Sequence, residues 1–394
     1  MKIGILTFHS QLNYGGVLQC WALQTALEKL GHEVVVIDRW EHDGKCRMGV
    51  ATLDVKGVIK AFVKTLLGLG ELDYLIRAGR TLKFIENRLN LTPYHFFSWK
   101  DAPKNLGVDM IVVGSDQVWH YGGSGNHRVY LLDGAPPTPA ISYAASFGMR
   151  ELPTWSMTDY MEGLAKFVAI SCREREGADI CCELGFPSAH VVDPVLLAWG
   201  DQAETHKKEA KEPVLVSYFL SEKVDAYIDM LYAFAKNMDC KVKIFVGGVW
   251  SWAFNSNRDC MKAGAKKVKA RLSSHMEIMS SAGPEEFLDA FRKARWVVSD
   301  SFHALMFSII YGCNVRIVKP STEGRMAMFA RIEEFAAHTK GEVITDSIQD
   351  ALDSFEKGET VEYDYSWISC RRHESYEWLK RGIAKCFILE SNPH

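Results

Sequence analysis

The fold is decided by the stretch WVVSDSFHALMFSIIYG, residues 296–312, in which a short polar junction joins two apolar segments. Trp296–Val298 is predicted to be a buried strand, and Ala304–Ile310 is too uniformly apolar to be a surface helix. Asp300 or Ser301 would cap that helix at its start. The free backbone N–H groups of such a helix start favour binding of a phosphate or a carboxylate.

His303 falls in the first turn of this predicted helix, and two interpretations of it stay open. A charged imidazole is disfavoured there by the helix dipole unless an anion is bound nearby. The residue is therefore either part of an anion-binding site or a hydrogen-bonded histidine in the core beneath a capped helix.

Length and composition limit the class of protein. A chain of 394 residues is too long for one hydrophobic core, which predicts two domains. The formal charge of −3 argues against a general nucleic-acid binder. No segment approaches eighteen apolar residues in succession, and the N-terminus runs directly into a predicted strand, so we expect a cytoplasmic protein. The ten cysteines show no metal-ligand spacing, and we expect neither a metal nor a cofactor.

The chain opens with a predicted β-α-β unit. Ile3–Phe8 and Glu33–Asp38 are its strands, and Val17–Leu30 is its helix. The loop before the helix ends in two glycines, at which a ligand could approach the backbone closely. A dinucleotide site is the rival interpretation because an acid closes the second strand, but the full G-x-G-x-x-G pattern is absent.

The segment from Asp54 to Asn90 departs from the α/β rhythm, and we predict a helical insertion at about 54–100. Its apolar residues recur at helical spacing and are flanked by lysines and arginines. One interpretation is a helical pair packed on the core. The other is a surface, at 54–90, that rests on anionic lipid and makes the protein peripheral at the inner membrane face.

The α/β rhythm resumes with three predicted strands, Asp109–Val113, Ile141–Gly148 and Phe167–Cys172. Polar residues at the carboxyl ends of such strands line the crevice in which open α/β sheets bind ligands. Arg173 follows the third strand and is either a ligand-binding residue or the partner of a neighbouring carboxylate.

The domain boundary is predicted in the charged stretch Trp199–Pro213. We assign 1–200 to an N-terminal Rossmann-like domain, 212–345 to a C-terminal one, and 346–394 to a helical tail. The predicted fold class is therefore α/β, with two Rossmann-like domains that face each other across a cleft.

Six motifs occur in order along the chain. They are NYGG-x-LQ-x-x-AL at 13–23, VVGSDQVW at 112–119, ISYAASFG at 141–148, ISCRE at 170–174, VVDPVLL at 191–197 and SDSFHALMFSIIYG at 299–312. Together they resemble the polysaccharide pyruvyl transferase family from Ile3 to about Phe329. Ala304 stands where the family pattern often has glycine, which reduces the room for a close backbone approach.

The resemblance implies a fold similar to the glycosyltransferase B type and a reaction with phosphoenolpyruvate as donor. The enolpyruvyl unit is transferred to two hydroxyls of a sugar as a cyclic ketal, and phosphate is released. The implied acceptors are sugars of capsular, exopolysaccharide or cell-wall glycans, frequently carried on a lipid diphosphate. The arginine of the family's S-x-RE motif matches Arg173, and the histidine after its D-S-F matches His303.

From these residues we predict three catalytic roles. His303 is the general acid, Asp116 is the base or the holder of the acceptor hydroxyl, and Arg173 binds a carboxylate or phosphate. Further substrate-binding residues are predicted in the first loop, at the strand end and at the helix start. They are Asn13, Tyr14, Gly15, Gly16, Ser115, Gln117, Trp119, Ser299, Asp300, Ser301 and Arg325.

Two other functions stay open. A nucleotide-sugar-dependent glycosyltransferase would share the fold and the anion site, and Trp250 beside Gly247 and Gly248 could stack on its base. A non-enzymatic glycan-binding subunit of an assembly complex would depend instead on aromatic residues such as Trp119 and Tyr121.

Overall fold

The computed structural model describes residues 1–40, 71–121, 127–203, 205, 209–246, 266–320 and 329–391. Within these ranges the chain forms two Rossmann-like domains, each built on a parallel sheet flanked by helices. Their strands are apolar runs, as in KIGIL and MIVV, because helices cover both faces of each sheet. The predicted fold class is confirmed.

The first sheet has the order β3-β2-β1-β4-β5, with every pair parallel. Its strands are β1 Lys2–Leu6, β2 Glu33–Arg39, β3 Leu91–Phe96, β4 Met110–Val113 and β5 Ala140–Ser142. Parallel bridges from Ile141 to Ala169 and from Ala145 to Cys172 extend it towards β6 Ile170–Cys172 and β7 Ser188–His190.

The second sheet has the order β10-β9-β8-β11-β12-β14 and is also parallel. Its strands are β8 Glu212–Phe219, β9 Lys241–Val246, β10 Met276–Ile278, β11 Ala294–Ser299, β12 Asn314–Val318 and β14 Ile344–Thr345. A small antiparallel pair, β13 Thr339–Lys340 with β15 Glu362–Tyr363, lies outside it.

The helices alternate with the strands, as right-handed crossover connections between parallel strands require. In the first domain they are α1 Tyr14–Lys29, α2 Glu71–Arg88, α3 His127–Tyr130, α4 Met157–Leu164, α5 Arg175–Glu183 and α6 Pro194–Trp199. The later ones are α7 Val224–Asn237, α8 Pro284–Lys293, α9 Phe302–Tyr311, α10 Ala330–Ala337, α11 Ile348–Glu356 and α12 Tyr365–Ser391.

The predicted helical insertion is wrong at its carboxyl end. Helix α2 stops at Arg88, and Leu91–Phe96 forms the edge strand of the first sheet beside β2. The alternation of buried Thr92 and Phe96 with exposed His95 is the period-two pattern of an edge strand. Residues 54–70, on which the lipid-surface interpretation also depends, lie outside the described residues.

The predicted helical tail at 346–394 contains the short strand β15 between two helices that pack on different domains. Helix α11 lies against α7, β11 and β12, so the second domain continues beyond 345. Helix α12 returns to the first domain, where it contacts α6 and β5. No described helix is both long enough and apolar enough to cross a membrane.

The two domains pack directly on each other beside the cleft. Tyr14 of α1 stacks on Phe287 of α8 with 4.4 Å between ring centroids, and its hydroxyl donates to the carbonyl of Ala282 at 2.8 Å. Arg77 of α2 donates to the carbonyl oxygens of Leu12 and Val246, at 2.6 and 2.8 Å. These contacts bring the carboxyl ends of the two sheets together.

Candidate functional site

Titratable side chains from both domains converge where the carboxyl ends of the two sheets meet, as expected for a ligand site of open α/β sheets. The first domain contributes an arginine and three carboxylates, and the second contributes a histidine and an arginine. They are Asp116, Arg173, Glu174, Asp193, His303 and Arg331. We refer to these six residues as the interdomain cluster.

Arg173 is at the centre of the cluster and is 3% exposed. Its Nη1 donates to Asp193 Oδ2 at 3.1 Å, its Nε donates to Glu174 Oε1 at 3.3 Å, and its Nη2 lies 3.6 Å from Asp116 Oδ1. Burial lowers the pKa of Arg173, but the charges of Glu174, Asp116 and Asp193 outweigh burial and raise it above the ordinary value. Two of its nitrogens thus donate hydrogen bonds to carboxylates, whereas Nη2 lies within ion-pair distance of Asp116 without a hydrogen bond and can donate to a ligand.

Asp116 follows β4 in a left-handed backbone conformation, with φ of 72°, which is strained for a residue other than glycine. Burial raises the pKa of its carboxyl, but the positive groups of Arg173, His303 and Arg331 outweigh burial and hold it below the usual value. The side chain is 13% exposed, against 9% for Glu174 and 0% for Asp193. Asp116 is therefore the ionised carboxylate of the cluster that faces solvent most.

His303 of α9 rests against the start of α1 in the other domain. A β-carbon on Gly15 would lie only 2.2 Å from His303 Nδ1, so glycine is required for this approach. His303 Nε2 lies 3.8 Å from Asp193 Oδ2. Burial lowers the pKa of the imidazole below 6.5, opposed by the negative charges of Asp193 and Asp116. In the ligand-free chain His303 is therefore mainly neutral at pH 7.

Three residues of the cluster, Glu174, Asp193 and Arg331, were not predicted as site residues from the sequence. Asp193 accepts from the backbone N–H of Val195 as the N-cap of α6 and also accepts from Ser115 Oγ at 3.2 Å. An aspartate before proline at a strand end is an N-cap signal that could have identified it. Arg331 has no such signal, since it is one arginine at the start of an ordinary amphipathic helix.

Arg331 reaches from α10 of the second domain to Glu174 of the first. Its Nη1 donates to Glu174 Oε1 at 3.0 Å. Burial lowers the pKa of its guanidinium to about 10, and the like charge of Arg173 adds to this effect. The arginine therefore occupies a position at which a further negative charge would stabilise it.

Three buried nitrogen atoms and one carboxylate oxygen of the cluster have no hydrogen-bond partner among the described residues: Arg173 Nη2, Arg331 Nε, His303 Nε2, which is a donor when the imidazole is protonated, and Glu174 Oε2. Buried polar groups are nearly always paired, so unpaired donors in one cluster indicate that a ligand supplies the acceptors. Ser301, the N-cap of α9, makes no side-chain capping bond, so the first-turn N–H groups of this helix can add to the same anion site.

Several predicted substrate-binding residues have structural roles instead. Trp119 is fully buried, packs on Phe147 and donates from Nε1 to the carbonyl of Tyr130, so its assignment to the substrate is wrong. Tyr14 is buried between the domains, and its hydroxyl is occupied by the carbonyl of Ala282. Pattern alone could not distinguish these aromatic residues from exposed ones.

Two residues at the start of α9 are likewise committed to the protein. The Asp300 carboxylate accepts from the backbone N–H groups of Leu220 and Ser221, at 2.7 and 2.8 Å, and so ties β8 to β11. The Ser299 hydroxyl donates to the carbonyl of Tyr218 and accepts from Ser301 N. Both shape the junction rather than present a free group to a ligand.

The other predicted residues lie around the cluster. Asn13 caps α1 by accepting from Gly15 N at 3.0 Å, and a β-carbon on Gly16 would lie 3.4 Å from Asp116 Oδ2. Ser115 is buried, and its hydroxyl donates to Asp193. The backbone of Gln117 donates to Asp116 Oδ1 at 3.0 Å. Arg325, like Gly247, Gly248 and Trp250, lies outside the described residues.

Comparison with known proteins supplies the family. The sequence model of polysaccharide pyruvyl transferases matches residues 13–322, which is most of the chain. The chain belongs to the polysaccharide pyruvyl transferase family. This confirms the resemblance seen in the motifs, and five of the six cluster residues lie inside the matched range. No curated protein sequence matches the chain.

Solved structures align with most of this pyruvyl transferase family member at very low sequence identity. UDP-N-acetylglucosamine 2-epimerase from Rickettsia bellii aligns with all of this chain and 98% of its own, at 7% identity and a TM-score of 0.50. UDP-GlcNAc 2-epimerase from Neisseria meningitidis aligns with 97% of this chain and 100% of its own, at 12% identity and a TM-score of 0.48. MurG from Acinetobacter baumannii aligns with 91% of this chain and 90% of its own, at 11% identity and a TM-score of 0.41. Of these three, the match to the Rickettsia bellii epimerase, with a TM-score of 0.50, supports the fold, and at 7% identity it shows the fold alone.

Proposed function

We propose that this enzyme transfers the pyruvyl group of phosphoenolpyruvate to two hydroxyls of a sugar in a polysaccharide precursor, forming a cyclic ketal and releasing phosphate. The observation that supports this most is the set of unpaired buried donors on Arg173, Arg331 and His303. A donor substrate with a carboxylate and a phosphate needs several such groups, and bidentate arginines together with a helix start bind both anions well.

The charges of the cluster explain how bound phosphoenolpyruvate would turn His303 into a general acid. Two arginines face three carboxylates, so the cluster carries one excess negative charge when His303 is neutral and none when it is protonated. A bound polyanion adds negative charge beside the imidazole and raises its pKa. His303 therefore becomes a proton donor when phosphoenolpyruvate is present.

The proposed reaction starts with proton transfer from His303 Nε2 to C3 of phosphoenolpyruvate, which leaves positive charge at C2. A sugar hydroxyl forms a bond to C2 and gives its proton to Asp116. The bond between C2 and the phosphate oxygen then breaks, and phosphate leaves with the electron pair. The second hydroxyl bonds to C2 and closes the ketal. Asp116 passes the proton of the first hydroxyl to the departing phosphate, and the proton of the second hydroxyl restores His303.

The remaining residues bind and orient. Arg173 Nη2 and Arg331 Nε hold the carboxylate and phosphate of the donor, and Asp193 stabilises the charged imidazole of His303. Asp116 faces the acceptor because its side chain is the most exposed carboxylate of the cluster. Each proton-transfer role is worth about 10²–10⁴-fold in rate.

The acceptor in this proposal is a capsular, exopolysaccharide or cell-wall glycan precursor carried on a lipid diphosphate, modified at the cytoplasmic face of the inner membrane. The scheme uses no metal and no cofactor. This is tested by chelation: activity that disappears with a chelator and returns with Mg²⁺ would contradict it.

The decisive experiment is incubation of the protein with phosphoenolpyruvate and a panel of galactosides, mannosides and N-acetylhexosaminides. We expect a product with the mass of a pyruvyl ketal and one phosphate released for each ketal formed. The control uses UDP-sugars as donors with the same acceptors. Glycosyl transfer from a UDP-sugar without ketal formation would assign the chain to nucleotide-sugar-dependent glycosyltransferases, and neither product would favour a non-enzymatic glycan-binding subunit.

A further inference from the structure

An aromatic surface lies outside the interdomain cluster, at the same carboxyl edge of the first sheet. Trp155, on the turn Thr154–Ser156, is 70% exposed, more than any other large apolar side chain of the described residues. Tyr121 meets its ring at 90°, with 5.3 Å between centroids, and His120 lies nearly parallel to Tyr121 at 5.7 Å. We call His120, Tyr121 and Trp155 the aromatic corner.

Hydrogen bonds fix the two backbone segments that carry the aromatic corner. The hydroxyl of Tyr160 in α4 donates to the carbonyl of Trp119 at 2.5 Å, which ties the Trp155 segment to the Tyr121 loop. Ser156 is buried and donates to the carbonyl of Pro153 at 2.8 Å. An exposed tryptophan on such a fixed support is preorganised for binding, since little conformational entropy is lost when a ligand stacks on it.

The aromatic corner is continuous with the acceptor side of the cluster. Gly148 has φ of 63°, and a β-carbon there would lie 2.7 Å from Gln117 Nε2 and 3.2 Å from His120 Cδ2. Both side chains therefore pack against the same point of backbone. Because Gln117 directly follows Asp116, the surface starts beside the proposed acceptor carboxylate and extends outward to Trp155.

The charge around the aromatic corner indicates the chemistry of its ligand. Residues 150–162 contain one basic and three acidic side chains, and one of the acids, Asp159, is paired with Arg128 of α3. This stretch therefore presents no basic cluster that would attract an anionic lipid surface or a phosphate group. A neutral, polyhydroxylated ligand does not depend on such a cluster, and the flat faces of tryptophan and tyrosine pack well on the C–H faces of a pyranose ring.

We propose that the aromatic corner binds a sugar residue of the acceptor saccharide next to the residue that receives the pyruvyl group. The enzyme then selects an oligosaccharide over the corresponding monosaccharide. This inference rests on the proposed function, because Asp116 sets where the reacting sugar lies. Two perpendicular rings contact a pyranose on two sides and so also restrict its orientation.

The test compares wild-type protein with Trp155→Ala, Trp155→Phe and Tyr121→Ala. Leu272→Ala, at an apolar side chain in the second domain that is 43% exposed, is the matched control. KM is measured for tetrasaccharides and monosaccharides of galactose, mannose and N-acetylhexosamine, and tetrasaccharide binding is also measured by calorimetry without phosphoenolpyruvate. We expect Trp155→Ala to raise KM and Kd for the effective tetrasaccharide about tenfold. KM for phosphoenolpyruvate and for the monosaccharide is unchanged, and Trp155→Phe retains part of the effect.

Unchanged tetrasaccharide affinity in Trp155→Ala overturns the inference, as does a wild-type protein that binds none of the tetrasaccharides. Vesicle binding or self-association that is lost in Trp155→Ala, without saccharide binding, would assign the corner to a lipid surface or to a second copy of the chain. Tetrasaccharide binding that depends on Trp155 in a protein that forms no ketal would support the corner while rejecting the proposed function.

Discussion

Gly15 and His303 belong to different domains, yet a β-carbon on Gly15 would lie 2.2 Å from Nδ1 of the His303 imidazole. The start of α1 in the first domain is thus the surface against which the histidine of the second domain rests. A glycine is needed there because real β-carbons do not approach a ring nitrogen so closely. The position of His303 therefore depends on how the two domains pack.

Gly15→Ala is expected to displace the imidazole and lower kcat about 10²-fold, since a shift of roughly 1 Å at a reacting group costs that much. Phosphate release at saturating phosphoenolpyruvate measures it, with circular dichroism to verify the fold. The control is Gly79→Ala in α2, where no atom lies within 4 Å of the added β-carbon. Normal kcat in Gly15→Ala would show that His303 need not lie where the structure has it.

His303→Ala is expected to abolish turnover while the protein stays folded, because the proposed mechanism assigns the protonation of C3 to His303. The measurement is ketal formation by mass together with a thermal melt. A folded His303→Ala protein with near-normal phosphate release would remove His303 from the mechanism.

The pH dependence should separate the free enzyme from its complex. Burial lowers the pKa of His303 below 6.5 in the free chain, and a bound anion raises it again. Because the acid must be protonated, both rate parameters fall as pH rises, but kcat/KM, which reports the free enzyme, falls at lower pH than kcat. Calorimetry in buffers of different ionisation enthalpy should show proton uptake when phosphoenolpyruvate binds at pH 7. The reverse order of the two pKa values would contradict the assignment.

Arg331→Gln removes one of the unpaired donors and leaves Glu174 with less positive charge around it. We expect a loss of about 3 kcal/mol in the free energy of unfolding, as for other broken buried ion pairs. The thermal stabilisation by phosphoenolpyruvate should also disappear. In the double variant with Glu174→Gln, stability should largely return while phosphoenolpyruvate still fails to stabilise the protein. Donor-induced stabilisation that persists in both variants would exclude Arg331 from the anion site.

Asp193→Asn retains the size and the helix-capping oxygen of the side chain but removes the charge beside His303. The negative charge of Asp193 raises the pKa of His303. Removing this charge should therefore shift the decline of kcat/KM to a lower pH and should also reduce kcat about 10²-fold. Asp239→Asn, at a side chain that is 96% exposed, is the matched control. A variant with lower kcat but an unshifted pH profile would indicate that Asp193 only supports the fold.

Trp119→Phe should affect stability and not catalysis. The variant loses the hydrogen bond from Nε1 to the carbonyl of Tyr130, and an unpaired buried carbonyl costs about 1–3 kcal/mol. KM for donor and acceptor should match wild type in steady-state assays. A raised acceptor KM with unchanged melting temperature would restore Trp119 to the substrate site.

Local pattern was enough to predict most elements of the fold. The helix before Gly312, which ends in a left-handed glycine, and the strand Glu33–Arg39, expected at Glu33–Asp38, were predicted because each depends on its own periodicity and end signals. The edge strand Leu91–Phe96 was missed because a short, half-exposed strand after a long amphipathic helix shows little periodicity. Its existence depends on pairing with β2, which is a tertiary contact.

By itself, the sequence determined the family, the two parallel α/β domains, and the residues His303, Arg173 and Asp116 at strand and helix ends, because these follow from contiguous motifs. Only the tertiary structure decided that Glu174, Asp193 and Arg331 complete the cluster, and that Trp119 is core while Trp155 is exposed. The physical reason is that burial and ion pairing are set by residues distant in the chain. His303 therefore acquires its environment only when Gly15 of the other domain packs against it.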